Sequence, residues 1–275
     1  MSKLNISLAQ MIVVTGHERR NVETMHAMAA EAARRGSQVV LLPELWSSGY
    51  AYDNLSALAA PTNSGAFAEM ANAARDNKIC IVGSVPEKRG VGINNSAALF
   101  SPGGQILGVY RKIHLFAPMG EARAFTGGQA PLNLELPWGR TGLAICYDLR
   151  FPEIFRRYGV EGARLVLLPA AWPQQRLDHW GALIRARAIE NQYFVAACNS
   201  VGEAQTGEGK TRFGGHSMII DPWGETVIEA GAMPGLYTAE IALERVDEVR
   251  ERIPVFQDRR PETYGLDDIM SRLEL

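Results

Sequence analysis

The chain has 275 residues, 47% of them apolar and 21% charged, an ordinary globular balance with length for one large domain or two small ones. Its formal net charge of −2 gives no electrostatic case for nucleic acid or for an anionic membrane. No apolar run approaches the roughly 18 residues of a membrane-spanning helix, and the opening MSKLNISLAQ alternates like a strand where a secretory signal would be continuously apolar, so a cytoplasmic protein is expected.

In chain order, Leu4 to Gln10 alternates apolar and polar residues, as a half-buried strand does. A helix follows, with Val22, Met25, Ala29 and Ala32 on one face and Gly36 as its stop. The apolar run Gln38–Glu44 fits a strand covered on both faces. A second helix is expected over Ala66 to Arg75, and a buried strand over Ile79 to Gly83. Ile93 to Tyr110 reads as an antiparallel hairpin turning at Ser101-Pro-Gly-Gly104. Short strands are expected at 132–136 and 141–145, then a helix opening at Phe151-Pro152, where the missing proline N–H does little harm. Strand 164–168, helix 177–190, strands at 193–197, 213–220, 226–228 and 235–241, and a helix over 242–252 complete the pattern. The charged tail after Pro254 lacks a helical stripe, so it wraps over the surface or reaches another subunit. Strands outnumber helices, and parallel-type and hairpin-type connections mix. Two packed sheets with helices outside accommodate this better than one doubly wound sheet. A nucleotide-binding oxidoreductase lacks its glycine-rich turn after the first strand.

Three strands end in reactive side chains: Glu44, Lys112 and Cys146. Rigid strand ends favour catalytic groups. Cys146, between a buried strand and a helix start, has the setting of a nucleophile elbow, with free backbone N–H groups for an oxyanion and a helix end that favours thiolate. By position alone, packing as a small hydrophobe is the better reading for Cys146, as it is for Cys80 and Cys198. The three cysteines are too scattered for a zinc ribbon or a CxxC pair. Glu44 is costly to bury unless paired or protonated, and a buried carboxylate suits a general base. Lys112 beside a cysteine can hold thiolate or oxyanion. His114, on the same face as Lys112 if the strand extends that far, offers a rival Cys–His scheme.

The segments Leu-Leu-Pro-Glu-Leu at 41–45, Tyr-Arg-Lys-Ile-His-Leu-Phe at 110–116 and Ile-Cys-Tyr-Asp-Leu-Arg-Phe-Pro-Glu at 145–153 resemble the nitrilase, or carbon–nitrogen hydrolase, superfamily. So do Arg-Ala-Arg-Ala-Ile-Glu-Asn-Gln at 185–192 and the run Gly214 to Glu225, and the likeness covers nearly the whole chain. The resemblance implies a four-layer α-β-β-α sandwich, spanning residues 1–275 as one domain, usually paired as a homodimer or higher homo-oligomer, with the 255–275 tail a candidate for that interface. It implies a Glu44–Lys112–Cys146 triad, a second glutamate at Glu121 and no metal or organic cofactor. The glycine-bearing loop Ala117 to Gly128 would act as a lid. On that scheme Glu44 takes the thiol proton, Lys112 and the Tyr147 backbone N–H hold the oxyanion, and a thioester is hydrolysed by water activated by Glu44 or Glu121. His114 then falls to a structural role.

Cys-Tyr-Asp-Leu-Arg-Phe-Pro, Ala-Trp-Pro at 171–173 and the run Ile253 to Pro261 look like the omega-amidase branch, which deamidates short dicarboxylate monoamides such as 2-oxoglutaramate and succinamate. Such a substrate needs a cation for its far carboxylate. Arg176 at a helix start is the candidate, with Trp172, Tyr50 and Phe116 as pocket walls. An amidase of deaminated glutathione, an N-carbamoyl amine hydrolase and a non-catalytic scaffold stay open, although a scaffold would be expected to lose part of the triad.

Overall fold

The computed structural model describes residues 3–264. Its strands are β1 (Lys3–Gln10), β2 (Val39–Leu41), β3 (Cys80–Arg89), β4 (Gly92–Phe100), β5 (Ile106–Arg111), β6 (Leu132–Leu134), β7 (Thr141–Leu143), β8 (Leu165–Ala170), β9 (Phe194–Asn199), β10 (Val201–Thr206), β11 (Gly209–Gly214), β12 (Met218–Ile220), β13 (Thr226–Glu229) and β14 (Gly235–Ala242). The helices are α1 (Glu18–Arg34), the single turn α2 (Leu55–Leu58), α3 (Gly65–Asn77), the single turn α4 (Glu121–Ala124), α5 (Pro152–Val160), α6 (Leu177–Asn191) and α7 (Arg245–Arg252).

Two six-stranded sheets result, in the orders β14-β1-β2-β3-β4-β5 and β13-β12-β9-β8-β7-β6, with β10–β11 a separate hairpin. Each has the same centre, three parallel strands joined by crossover helices and flanked by antiparallel ones. Alternation along the first sheet sorts its side chains. Leu4, Ile6, Leu8, Val39 and Leu41 join the core shared with the second sheet, whereas Val40, Leu42, Ile81 and Phe100 meet Met25, Phe67 and Met70 of α1 and α3. On the far side α5 and α6 bury Phe155, Ile184 and Ala188. The architecture is an α-β-β-α sandwich with two mixed sheets.

Three departures from the sequence pattern have local causes. The expected strand 213–220 breaks after Gly214, because Gly215 and His216 take φ of 67° and 53°. The polar, glycine-flanked stretch 201–209 carries no apolar signal, yet forms β10 and opens β11 by folding back in register. The strand expected at 141–145 ends at Leu143, since the Ile145 N–H turns to donate to the Asp148 carboxylate at 2.9 Å. Of the charged tail, residues 255–264 lie on the α5–α6 layer, where Phe256 sits against Gly159 beneath the guanidinium groups of Arg156 and Arg250. The rest of the tail expected at a subunit contact, 265–275, lies outside the described residues.

Candidate active site

The C-terminal ends of β2, β5, β7 and β8 meet at one edge of the sandwich, the place where parallel sheets leave room for ligands. The Glu44 N–H donates to the Ala170 carbonyl at 3.2 Å and so ties the first sheet to the second there. Two strained turns stand at this edge. Leu45, directly after Glu44, has φ of 46°, and Cys146 itself has φ of 45°. Neither is glycine, and each such residue costs on the order of 1–3 kcal/mol that surrounding structure must hold in place. The Leu45 N–H is fixed by the Ser84 hydroxyl at 2.9 Å. Cys146 opens a 3-10 turn, Cys146–Arg150, so α5 starts only at Pro152.

The carboxylates and the ammonium expected from sequence come together. Lys112 Nζ lies 2.7 Å from Glu44 Oε1 and 2.6 Å from Glu121 Oε2, and the three side chains are at most 1% exposed. Removing three charges from water is costly unless each is paired and hydrogen-bonded, and these are. Glu44 also accepts from Asn95 Nδ2 at 2.8 Å, the Ala171 N–H at 3.1 Å and the Tyr50 hydroxyl at 3.3 Å. Glu121 accepts from the Phe116 N–H at 2.7 Å and Asn95 Nδ2 at 3.3 Å. Burial works against charge on Lys112, but Glu121 and Glu44 outweigh it and hold the ammonium protonated. Burial raises Glu121; despite the opposing pull of Lys112, and with the Glu44 charge adding to burial, its carboxyl is pushed up to about 7.

The pull of a helix end toward thiolate does not prevail at Cys146. Burial, then the negative charge of Glu44, pushes the thiol well above its ordinary value, and Lys112 only partly offsets them. A neutral thiol needs a base at the moment of attack, and the Glu44 carboxylate is within its hydrogen-bonding reach. The rival base is elsewhere. β5 ends at Arg111, so strand parity no longer aligns His114 with Lys112. His114 stacks on Phe151 at 3.6 Å and hydrogen-bonds the Asp148 carboxylate through Nδ1 at 2.8 Å.

Asp148 is the clamp that sequence reasoning missed. Fully buried, it accepts from Tyr110 Oη, the Ile145 N–H, the His114 N–H and His114 Nδ1, at 2.8–3.0 Å. Those donors flank Lys112 on one side and precede Cys146 on the other. One carboxylate therefore sets the strand end carrying the lysine against the turn carrying the cysteine.

Above Cys146 opens a pocket with an empty volume of about 320 Å³, part of it open to solvent. Tyr50, Phe116, Tyr147, Trp172 and Arg176 all line it, as do Arg150 and Met119. The 117–128 loop covers one side, with Gly120 at φ of 92° turning the chain so that Glu121 points inward. Arg176 is not a free cation: its guanidinium pairs with Glu208 at 2.6 and 3.1 Å and lies over the Phe116 ring. Arg150, also half-buried, sits 4.9 Å over the Trp172 ring and has no carboxylate partner among the described residues. Asn95 had a signal in the sequence, as a polar residue in step with the inward-facing Ala97 and Leu99 of β4. Arg150 and Glu208 had none, since solvated arginines and glutamates look the same in sequence. No group of three or more His, Cys, Asp or Glu side chains among the described residues is placed to hold a metal ion.

The carbon–nitrogen hydrolase family model matches residues 5–251. The chain belongs to that family. A 2-oxoglutaramate amidase of Bacillus subtilis is 39% identical over 95% of this chain and 100% of its own. The human omega-amidase NIT2 is 30% identical over 97% of this chain and 99% of its own. Among solved structures, a CN-hydrolase superfamily protein of Xanthomonas campestris, with an arsenic adduct in its active site, superposes with a TM-score of 0.87 at 31% identity, covering 94% of this chain and 98% of that one. A carbon–nitrogen hydrolase with this fold acts on C–N bonds, and the fold of the present chain is that of the family.

Proposed function

We propose that this carbon–nitrogen hydrolase is a cysteine amidase of omega-amidase type, releasing ammonia from the terminal amide of a short substrate whose far end is a carboxylate, such as 2-oxoglutaramate or succinamate. One observation carries the reading: a buried Glu44–Lys112–Glu121 chain meets a neutral thiol on a strained turn, beneath a small pocket rimmed by arginines. Glu44 takes the thiol proton as Cys146 Sγ attacks the amide carbon. The Lys112 ammonium and the Tyr147 N–H hold the oxyanion. Glu44 returns the proton to the departing ammonia, leaving a thioester. Water then attacks the thioester, giving up its proton to Glu121 or Glu44, and the acid and the free thiol are released.

Arg150 and Arg176 supply positive charge for the distal carboxylate, with Trp172, Tyr50 and Phe116 as walls. The printed names of the relatives, 2-oxoglutaramate amidase and omega-amidase, support the same substrate class. The chain acts as one domain, a reading supported by β14, which crosses from the C-terminal half to pair with β1. It assembles at least as a homodimer, for which exposed Val160, Ile189 and Trp223 provide apolar surface. Among the described residues no helix is long and apolar enough to cross a membrane, consistent with a cytoplasmic enzyme.

Ammonia release from succinamate, set beside the neutral four-carbon amide butyramide, tests this reading. The wild-type chain is expected to prefer succinamate, and Cys146→Ala to release ammonia from neither. Equal kcat/KM for both amides would remove the carboxylate from the substrate description.

A further inference from the structure

Arg176 faces the pocket, yet it already holds a carboxylate. Glu208 is half of the two-residue turn between β10 and β11, where Thr206 pairs with Gly209. The position of that turn is built. The Gly207 N–H donates to the Met119 carbonyl at 3.2 Å, and a Cβ on Gly207 would come within 2.6 Å of the Pro118 carbonyl oxygen. The Thr206 hydroxyl accepts from the Glu208 N–H at 3.2 Å and bonds Thr211 Oγ1 at 2.7 Å. The hairpin tip therefore rests on the turn that carries Glu121 and reaches across to Arg176. Both side chains of the pair are only 23% exposed. Two guanidinium nitrogens point at the two oxygens of Glu208, the arrangement an arginine uses for a ligand carboxylate.

We infer that the Glu208 carboxylate stands on Arg176 where the distal carboxylate of the substrate binds, making the β10–β11 tip a gate that competes for Arg176 and that an anionic amide displaces. The inference rests on the omega-amidase reading and makes anion binding at that site an exchange of carboxylates. A substrate carboxylate replaces Glu208 charge for charge, so Arg176 stays paired throughout. A neutral amide does not compete for Arg176 and leaves the pair with Glu208 intact. Arg150 over Trp172, on the same rim and without a carboxylate partner among the described residues, gives the incoming anion its first contact.

Calorimetric binding of succinamate and butyramide to the full-length Cys146→Ala protein, which cannot turn them over, tests the gate. Adding Glu208→Gln keeps the size of the side chain and one of its two acceptor oxygens but removes its charge. The Kd for succinamate is expected to fall about fivefold, the scale of one partly exposed ion pair, with the succinamate-to-butyramide Kd ratio falling alongside. Adding Arg176→Gln as well is expected to abolish the gain. Glu208→Ala, whose side chain cannot prop the tip, serves as the second variant and should also tighten succinamate. If succinamate binds no tighter, is not bound at all, or tightens only in step with butyramide, Glu208 is a structural prop and the inference falls. Failure of the underlying reading shows separately, as absence of ammonia release from succinamate by the protein with Cys146 intact.

Discussion

The floor and the rim of one pocket use the same residue types to opposite ends. On the floor, Lys112 is held between Glu44 and Glu121 with almost no exposure, and each carboxylate has further donors. On the rim, Arg176 and Glu208 form a similar pair, but each keeps 23% exposure and each belongs to a loop or helix start. Desolvation makes the floor unforgiving: any unpaired member is a buried charge in a poor dielectric. Water at the rim screens its charges and makes exchange of partners inexpensive. On the proposed reading, the difference separates chemistry from choice. A reacting centre needs groups that cannot move, whereas a discriminating one needs a pair that can be broken by the right ligand.

The largest effect expected from breaking this comparison is on the floor. Lys112→Met leaves two buried carboxylates without their cation and should lower stability by about 3–5 kcal/mol, read as a denaturant midpoint, together with loss of ammonia release. A change of under about 1 kcal/mol, of the size seen for exposed pairs, would mean that the floor behaves like the rim.

An intermediate effect sharpens the floor itself. Folding raises the Glu121 carboxyl from its ordinary 4.5 to about 7. The folded chain therefore holds that proton more tightly than the unfolded chain. The resulting stabilisation is full below about 4.5 and is lost as pH rises through about 7. Glu121→Gln, which cannot titrate, should lose less stability than wild type between about pH 5 and about pH 8. Parallel pH curves for the two proteins would take Glu121 out of the titration. The smallest effect belongs to the rim. Arg150→Gln should raise KM for succinamate by about fivefold, and unchanged discrimination against butyramide would leave the far carboxylate without this contact.

Much of the floor was legible because its signals break a rule. Glu44 and Cys146 end runs that should stop in turn residues, and burial of a carboxylate after Leu41-Leu42 demanded a partner. The two-sheet sandwich followed from the count and mixture of strands. What stayed hidden was conformational or long-range. Nothing in the composition of 201–209 announces β10 and its turn, because register with β11, not apolar periodicity, holds the hairpin. The positive φ of Cys146 and Leu45 stands beside side-chain bonds that composition does not announce, from the Ile145 N–H to Asp148 and from the Leu45 N–H to Ser84. The balance at Cys146 has a related reason: a helix end beside a cysteine favours the anion, but burial next to Glu44 favours the thiol from which the proposed base scheme starts. Arg176 was visible as a cation near a helix start, while its partner thirty-odd residues on was not.

The central claim is that Cys146 carries the acyl group and that Glu44 is its base. Rapid acid quench of the enzyme with succinamate, followed by intact-mass analysis and peptide mapping, reads this directly. The account predicts a succinyl thioester on the peptide bearing Cys146, lost in Cys146→Ala and formed far more slowly in Glu44→Gln. Steady ammonia release with no adduct, or an adduct mapped to Cys80 or Cys198, would contradict it.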